Sequence, residues 1–172
     1  MSEHALRPYD VAVALRLAEV PFASFKRLAK DLGLSGSTAH AAVRRLMDAG
    51  LVRMASDGSR PVNRLALLEF LEHGVRYAFP GVLGPVKSGI PTAYAGPALK
   101  DQILAEYPVV WPHVGGPAVG PAVNPLLPKA AELPERSPDT YALLSAVDAI
   151  RVGRARERVL AMAFLRRRLT VA

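Results

Sequence analysis

The chain of 172 residues contains no cysteine, which excludes a disulfide framework and thiolate metal sites. Aromatic side chains are only 6% of the residues, so the core has to be assembled from Leu, Val and Ala. His4, His40, His73 and His113 share no i, i+4 pairing and no ligand spacing, and no metal site is expected. No window of about 20 apolar residues is free of proline or charge, which argues against a membrane span. The opening MSEHALRPYD has no apolar run and does not read as a secretory signal, so a cytoplasmic location is the expectation. Catalytic signatures are missing as well. GVLGPVKSG is interrupted by proline and is followed by no GK[ST], Ser88 and Ser145 lack a GxSxG setting, and no carboxylate pair sits in an apolar context. Neither enzyme activity nor a cofactor is expected.

Acidic residues are outnumbered. The formal net charge is +7, which attracts polyanions. The excess is uneven: residues 1–76 hold 11 Lys/Arg against 8 Asp/Glu, and residues 151–172 hold seven Arg against Glu157. Two basic ends therefore flank a nearly neutral middle.

The most informative stretch is Phe25 to Arg53, FKRLAKDLGLSGSTAHAAVRRLMDAGLVR. A buried helix precedes it from about Pro8 to Val20, with Asp10 placed to cap its start and Pro21 to end it. Ser24 suits the N-cap of a helix over 25–32, with Leu28, Ala29 and Leu32 on one face. Gly33 falls where a left-handed C-cap is wanted. Leu34 plugs the gap, and Ser35 caps a third helix running to about Ala49. Leu51 to Met54 reads as a strand, Ser56-Asp57-Gly58-Ser59 as a turn, and Arg60 to Leu65 as the returning strand. A fourth helix is expected over Leu65–Tyr77.

The spacing is that of a winged helix-turn-helix, and it points to double-stranded DNA. In that arrangement residues 35–45 enter the major groove. Ala39, Val43, Leu46 and Met47 face inward, leaving Ser37, Thr38, His40, Ala41, Arg44 and Arg45 outward. Ser35, Ser37 and Thr38 are short donors suited to phosphate oxygens. Arg44 suits a bidentate contact to guanine or a phosphate clamp. His40 reaches a base edge or is a solvated surface histidine. Arg53, Arg60 and Arg64 belong to the wing, aimed at the minor groove or flanking phosphates.

Ten of the fifteen prolines fall between Phe79 and Pro128 in an apolar, nearly uncharged context. Proline at that density excludes long helices and central strands. The segment reads as an extended apolar arm packed on its own chain or on a partner. Ser137-Pro138 opens the last helical region, which Gly153 breaks or bends. Its second half has three readings: a dimer or partner surface through Val159, Leu160 and Ala163, further phosphate contacts through Arg151, Arg154, Arg156 and Arg158, or a membrane-surface helix.

The whole reads as α+β, mainly α with a small β wing. Three parts are expected: a winged helix-turn-helix over 1–77, a Pro/Gly-rich arm over 78–136 and a C-terminal helical region over 137–172.

The motif LAKDLGLSGSTAHAAVRRLMDAGLVR resembles the winged helix-turn-helix domains of bacterial regulators of the MarR and IclR type. The resemblance implies a homodimeric repressor on a pseudopalindromic operator. VWPHVGGPAVGPAVNPLLP and YALLSAVDAIRVGRARERVLAMAFL resemble the second halves of small winged-helix antitoxins paired with a nucleotidyltransferase-like toxin. That second resemblance implies the alternative of a protein-binding module that neutralises a partner enzyme and represses its own promoter.

Overall fold

The computed structural model describes residues 4–21 and 24–170. The fold is α+β, mainly helical with one small three-stranded sheet. Two helices form its centre. α1 (Pro8–Glu19) is buried along residues 11–18, and α7 (Pro138–Val152) is buried along residues 143–151. Both are apolar on nearly every face, the pattern of a helix surrounded by protein. Asp10 does not take the N-cap position of α1, which belongs to Arg7. Asp10 lies inside the first turn and accepts the Arg7 amide at 2.8 Å.

Around this centre the chain adds α2 (Phe25–Leu32) and α3 (Gly36–Asp48) on one side. α4 (Arg64–His73), the short α5 (Val75–Ala78) and α8 (Ala155–Thr170) complete the helical body. A short α6 (Leu133–Arg136) packs between α2 and α7. The expected single helix over 65–77 is in fact two, separated at Gly74. The returning wing strand stops sooner than expected, because Asn63 is already the N-cap of α4 and accepts the Ala66 amide. The wing is held by one bridge, Val52 to Val62.

The proline-rich segment departs most from its sequence reading. It forms β1 (Leu83–Thr92), β2 (Val109–Pro112) and β3 (Ala118–Val123), with β1 antiparallel to both neighbours. β1, which contains Pro85 and Pro91, thus pairs with both other strands, and a β2–β3 bridge from Val110 to Ala122 closes the three into a small barrel. The reason lies in the register. Residues before Gly89 pair with β3, residues after it pair with β2, and Gly89 faces Pro112 and Ala118 together. Pro91 therefore has a strand on one flank, and Pro85 sits in the irregularity between Leu83 and Val86. A missing N–H costs little at such places. At Gly89 the strands cross so closely that a Cβ would stand 2.0 Å from the Trp111 carbonyl oxygen. Gly89→Ala should force the strands apart and lower stability by about 1–3 kcal/mol, the usual range for overpacking, measurable by urea unfolding.

The sheet is fastened to α7 by polar contacts in an apolar setting. Trp111 Nε1 and Thr92 Oγ1 both donate to Asp148 Oδ2, at 2.6 and 2.9 Å. Tyr141 donates to the Pro91 carbonyl at 2.6 Å, and burial pushes its phenol up to about 12. Among the described residues no helix is long and apolar enough to cross a membrane.

Candidate nucleic-acid interface

The α2–turn–α3 unit is built by local chemistry at each joint. Ser24 Oγ accepts the Arg27 amide and starts α2. Gly33 ends it at φ 64°, while the Leu34 amide bonds back to the Ala29 carbonyl at 2.9 Å. This six-residue closure needs a left-handed residue at its corner, which only glycine adopts cheaply. Ser35 Oγ then accepts the Thr38 amide at 3.1 Å and starts α3.

Ala39, Ala42, Val43 and Leu46 face the core from α3. The opposite side presents Ser37, His40 and Arg44 as exposed residues, with Thr38 and Ala41 half-buried beside them. Three hydroxyls gather at the start of the helix: Ser35 Oγ lies 3.0 Å from Ser37 Oγ and 2.7 Å from Thr38 Oγ1. Ser35 thus serves first as a cap, and its neighbours carry the free donor capacity.

Phe25 joins α2, α3 and the wing. The His40 ring packs against it at a tilt, 4.9 Å between centroids, and the Arg60 guanidinium lies 4.2 Å from its centre on the wing side. The Arg60 amide also bonds the Pro21 carbonyl. Arg60 therefore pins the wing to the start of α2, and its Nε is buried with no hydrogen-bond partner among the described residues. Arg53 is exposed on the outgoing side of the wing, where its amide bonds the Pro61 carbonyl. At the wing tip, the Ser59 hydroxyl and amide hold the Asp57 carboxyl below the usual carboxylate range. The tip is therefore anionic, and phosphate contacts belong to its flanks.

Two arginines expected at the interface are turned inward. Arg45 is 5% exposed and makes a two-pronged pair with Asp10, Nε at 2.8 Å and Nη2 at 2.7 Å. Those hydrogen bonds hold its guanidinium above the usual value. The physical reason is phase: α3 places residue 45 on the same side as Ala42 and Leu46, over the start of α1. Arg64 is likewise spent inside the fold. Its Nη1 and Nη2 donate to the Leu169 and Ala18 carbonyls, satisfying acceptors near the ends of α8 and α1. Arg151, one of the expected C-terminal phosphate ligands, is buried against Asp148.

Sequence reasoning missed the aromatic hub at Phe25, which figured there only as the first residue of α2. It also passed over Lys26 and Lys30, exposed on α2, and Lys129, whose stem lies against Gly33. The two α2 lysines were legible from helical phase. Nothing in the sequence places Lys129 at the turn.

Residues 17–53 match the winged helix-turn-helix DNA-binding family. The match starts in the last turn of α1, takes in α2, the turn and α3, and stops at Arg53 on the outgoing side of the wing. No curated protein and no solved structure matches the chain.

Proposed function

We propose that this chain is a sequence-specific DNA-binding transcriptional regulator, a dimeric repressor of the MarR/IclR kind. It sets α3 in the major groove, with the flanks of the wing on adjacent phosphates. The observation that carries this reading is the outer face of α3, where Ser37, His40 and Arg44 project from a helix whose inner face and both ends are fixed. In this reading Ser35, Thr38 and Ala41 line the same edge, and Arg53 and Arg60 supply the wing cations. Arg45 and Arg64 hold the frame.

The test is fluorescence anisotropy on the chain's own upstream DNA and on a scrambled duplex across a salt series. A cognate preference of about a thousandfold or more is expected, with steep salt dependence. Equal, weak binding to both duplexes would reduce the helix-turn-helix to a scaffold. Arg44→Ala should lose about 1–3 kcal/mol on cognate DNA and little on scrambled DNA, because a bidentate guanine contact discriminates between bases. A loss that is equal on both would make Arg44 a phosphate ligand.

A second reading is the antitoxin-like module, which binds and neutralises a partner enzyme while repressing its own promoter. It is supported by the apolar outer side of the sheet. Val86 and Val119 share one face by the β1–β3 register and are 65% and 59% exposed. Co-expression with the product of the neighbouring gene tests it. Absence of a stable complex, with DNA preference intact, would remove this reading.

A further inference from the structure

A segment outside the family match reaches the corner of the helix-turn-helix. Between the sheet and α7 the chain runs past α2, where Leu127, Ala130 and Leu133 are fully buried. Arg136 Nη1 donates to the Lys30 carbonyl at 2.8 Å and fastens the segment to the end of α2. These anchors fix Lys129 between them. Lys129 is exposed, and its stem crosses the turn: a Cβ on Gly33 would stand 2.9 Å from Lys129 Cδ. Gly33 therefore leaves room for this stem as well as taking the left-handed corner.

Lys129 continues a strip of cations. Lys26, Lys30 and Gly33 follow at four- and three-residue spacing, so they share one side of α2, and both lysines are exposed. One position on, Arg27 and Asp31 pair with each other, and Asp31 also takes Arg16 of α1. That pair marks the side turned to α1, and the lysines look away from it. Among the described residues none of the three lysines pairs with a carboxylate. Of the nearby acids, Asp31 is engaged and Glu132 holds Arg136. Glu135 is exposed and shares the groove between α2 and α6 with Arg27 and Lys30, a groove that Lys129 does not line. Two residues beyond Gly33 begins the hydroxyl cluster of Ser35, Ser37 and Thr38. Cation and hydroxyl donors thus meet at one turn, the combination that suits a phosphate group.

We propose that Lys129 is a DNA-phosphate ligand, which with Lys26 and Lys30 forms a cationic strip along α2 and the turn that grips the backbone beside the start of α3. This rests on the DNA-binding reading above and adds to it a contact from outside residues 17–53. Arg60 lies over Phe25 at the start of α2 and Lys129 over Gly33 at its end, so phosphate contacts bracket that helix. The stem of Lys129 already packs on the turn, which lowers the ordering cost of binding. Phosphate contacts carry no sequence information, so the strip sets affinity and register while α3 reads the bases.

Anisotropy titrations on cognate and scrambled duplexes across a salt series test the assignment, with thermal melting as the control for folding. Lys129→Met keeps the unbranched stem over Gly33 and removes the charge. It should melt like wild type and lose about one unit of salt slope, roughly tenfold in affinity at about 0.1 M salt, equally on both duplexes. Lys129→Arg should keep the slope. Adding Lys26→Met and Lys30→Met should deepen the loss to about three units. Lys100→Met makes the same charge change at an exposed lysine between β1 and β2 and should leave the slope unchanged. A wild-type slope in Lys129→Met, an equal drop in Lys100→Met, or Lys129→Arg binding as weakly as Lys129→Met would overturn the assignment and leave a DNA-binding protein standing. A wild-type chain that binds neither duplex, or binds without salt dependence, would overturn the assignment and the DNA reading together.

Discussion

Asp148→Ala is expected to cost about 3–5 kcal/mol of folding stability, the range for removing one partner of a buried ion pair. Asp148 is fully buried, and Arg151 beside it is 6% exposed. The carboxylate accepts Arg151 Nη1 at 2.6 Å as well as Trp111 Nε1 and Thr92 Oγ1. Arg151 in turn donates to the Phe79, Pro80 and Asn124 carbonyls, the points where the chain enters and leaves the sheet. One carboxylate thus balances the charge that ties both ends of the proline-rich segment to α7. Alanine would leave that guanidinium uncompensated and orphan the indole N–H, two losses that each carry a desolvation penalty. Against a typical total of about 5–15 kcal/mol, the variant would be marginal at best. Urea unfolding followed by Trp111 fluorescence measures it. Asp148→Asn should fall between wild type and alanine, since an amide oxygen still accepts from the indole but carries no charge. A loss below about 1 kcal/mol for alanine would mean that packing alone holds the sheet.

The helix-turn-helix was readable because each of its joints depends on nearest neighbours in sequence. Ser24, Gly33 and Ser35 act on amides and carbonyls within six residues, so their side-chain chemistry announces the geometry. The sheet was not readable for the opposite reason. Proline argues against a central strand only when both flanks of the same residue are paired. Whether they are depends on β1 exchanging partners at Gly89, which is a fact about residues more than twenty positions apart. Arg45 and Arg64 mark the same limit within the site. Their charge and spacing are those of DNA ligands, and what diverts them are Asp10 and the carbonyls of Ala18 and Leu169. Arg44 has no such acceptor among the described residues and stays exposed.

The diversion of Arg45 makes a prediction about the interface itself. Asp10→Ala should destabilise the fold by about 3–5 kcal/mol, because it strands a buried guanidinium. It should also weaken cognate DNA binding more than scrambled binding, since α3 loses its fastening to the start of α1. Replacing both partners, Asp10→Leu with Arg45→Met, removes the charges together and should restore much of the stability, as apolar replacement of buried pairs often does. DNA binding by this double variant then separates two roles for Arg45. If it only positions α3, the repacked protein keeps its cognate preference and its salt slope. If Arg45 instead swings out to a phosphate in the complex, the double variant loses about one unit of the salt slope, even where its stability is recovered. The geometry favours the first outcome: Arg45 also bonds the Tyr9 hydroxyl and lies over the Tyr9 ring. Swinging out would break both contacts and leave Asp10 buried without a counter-charge.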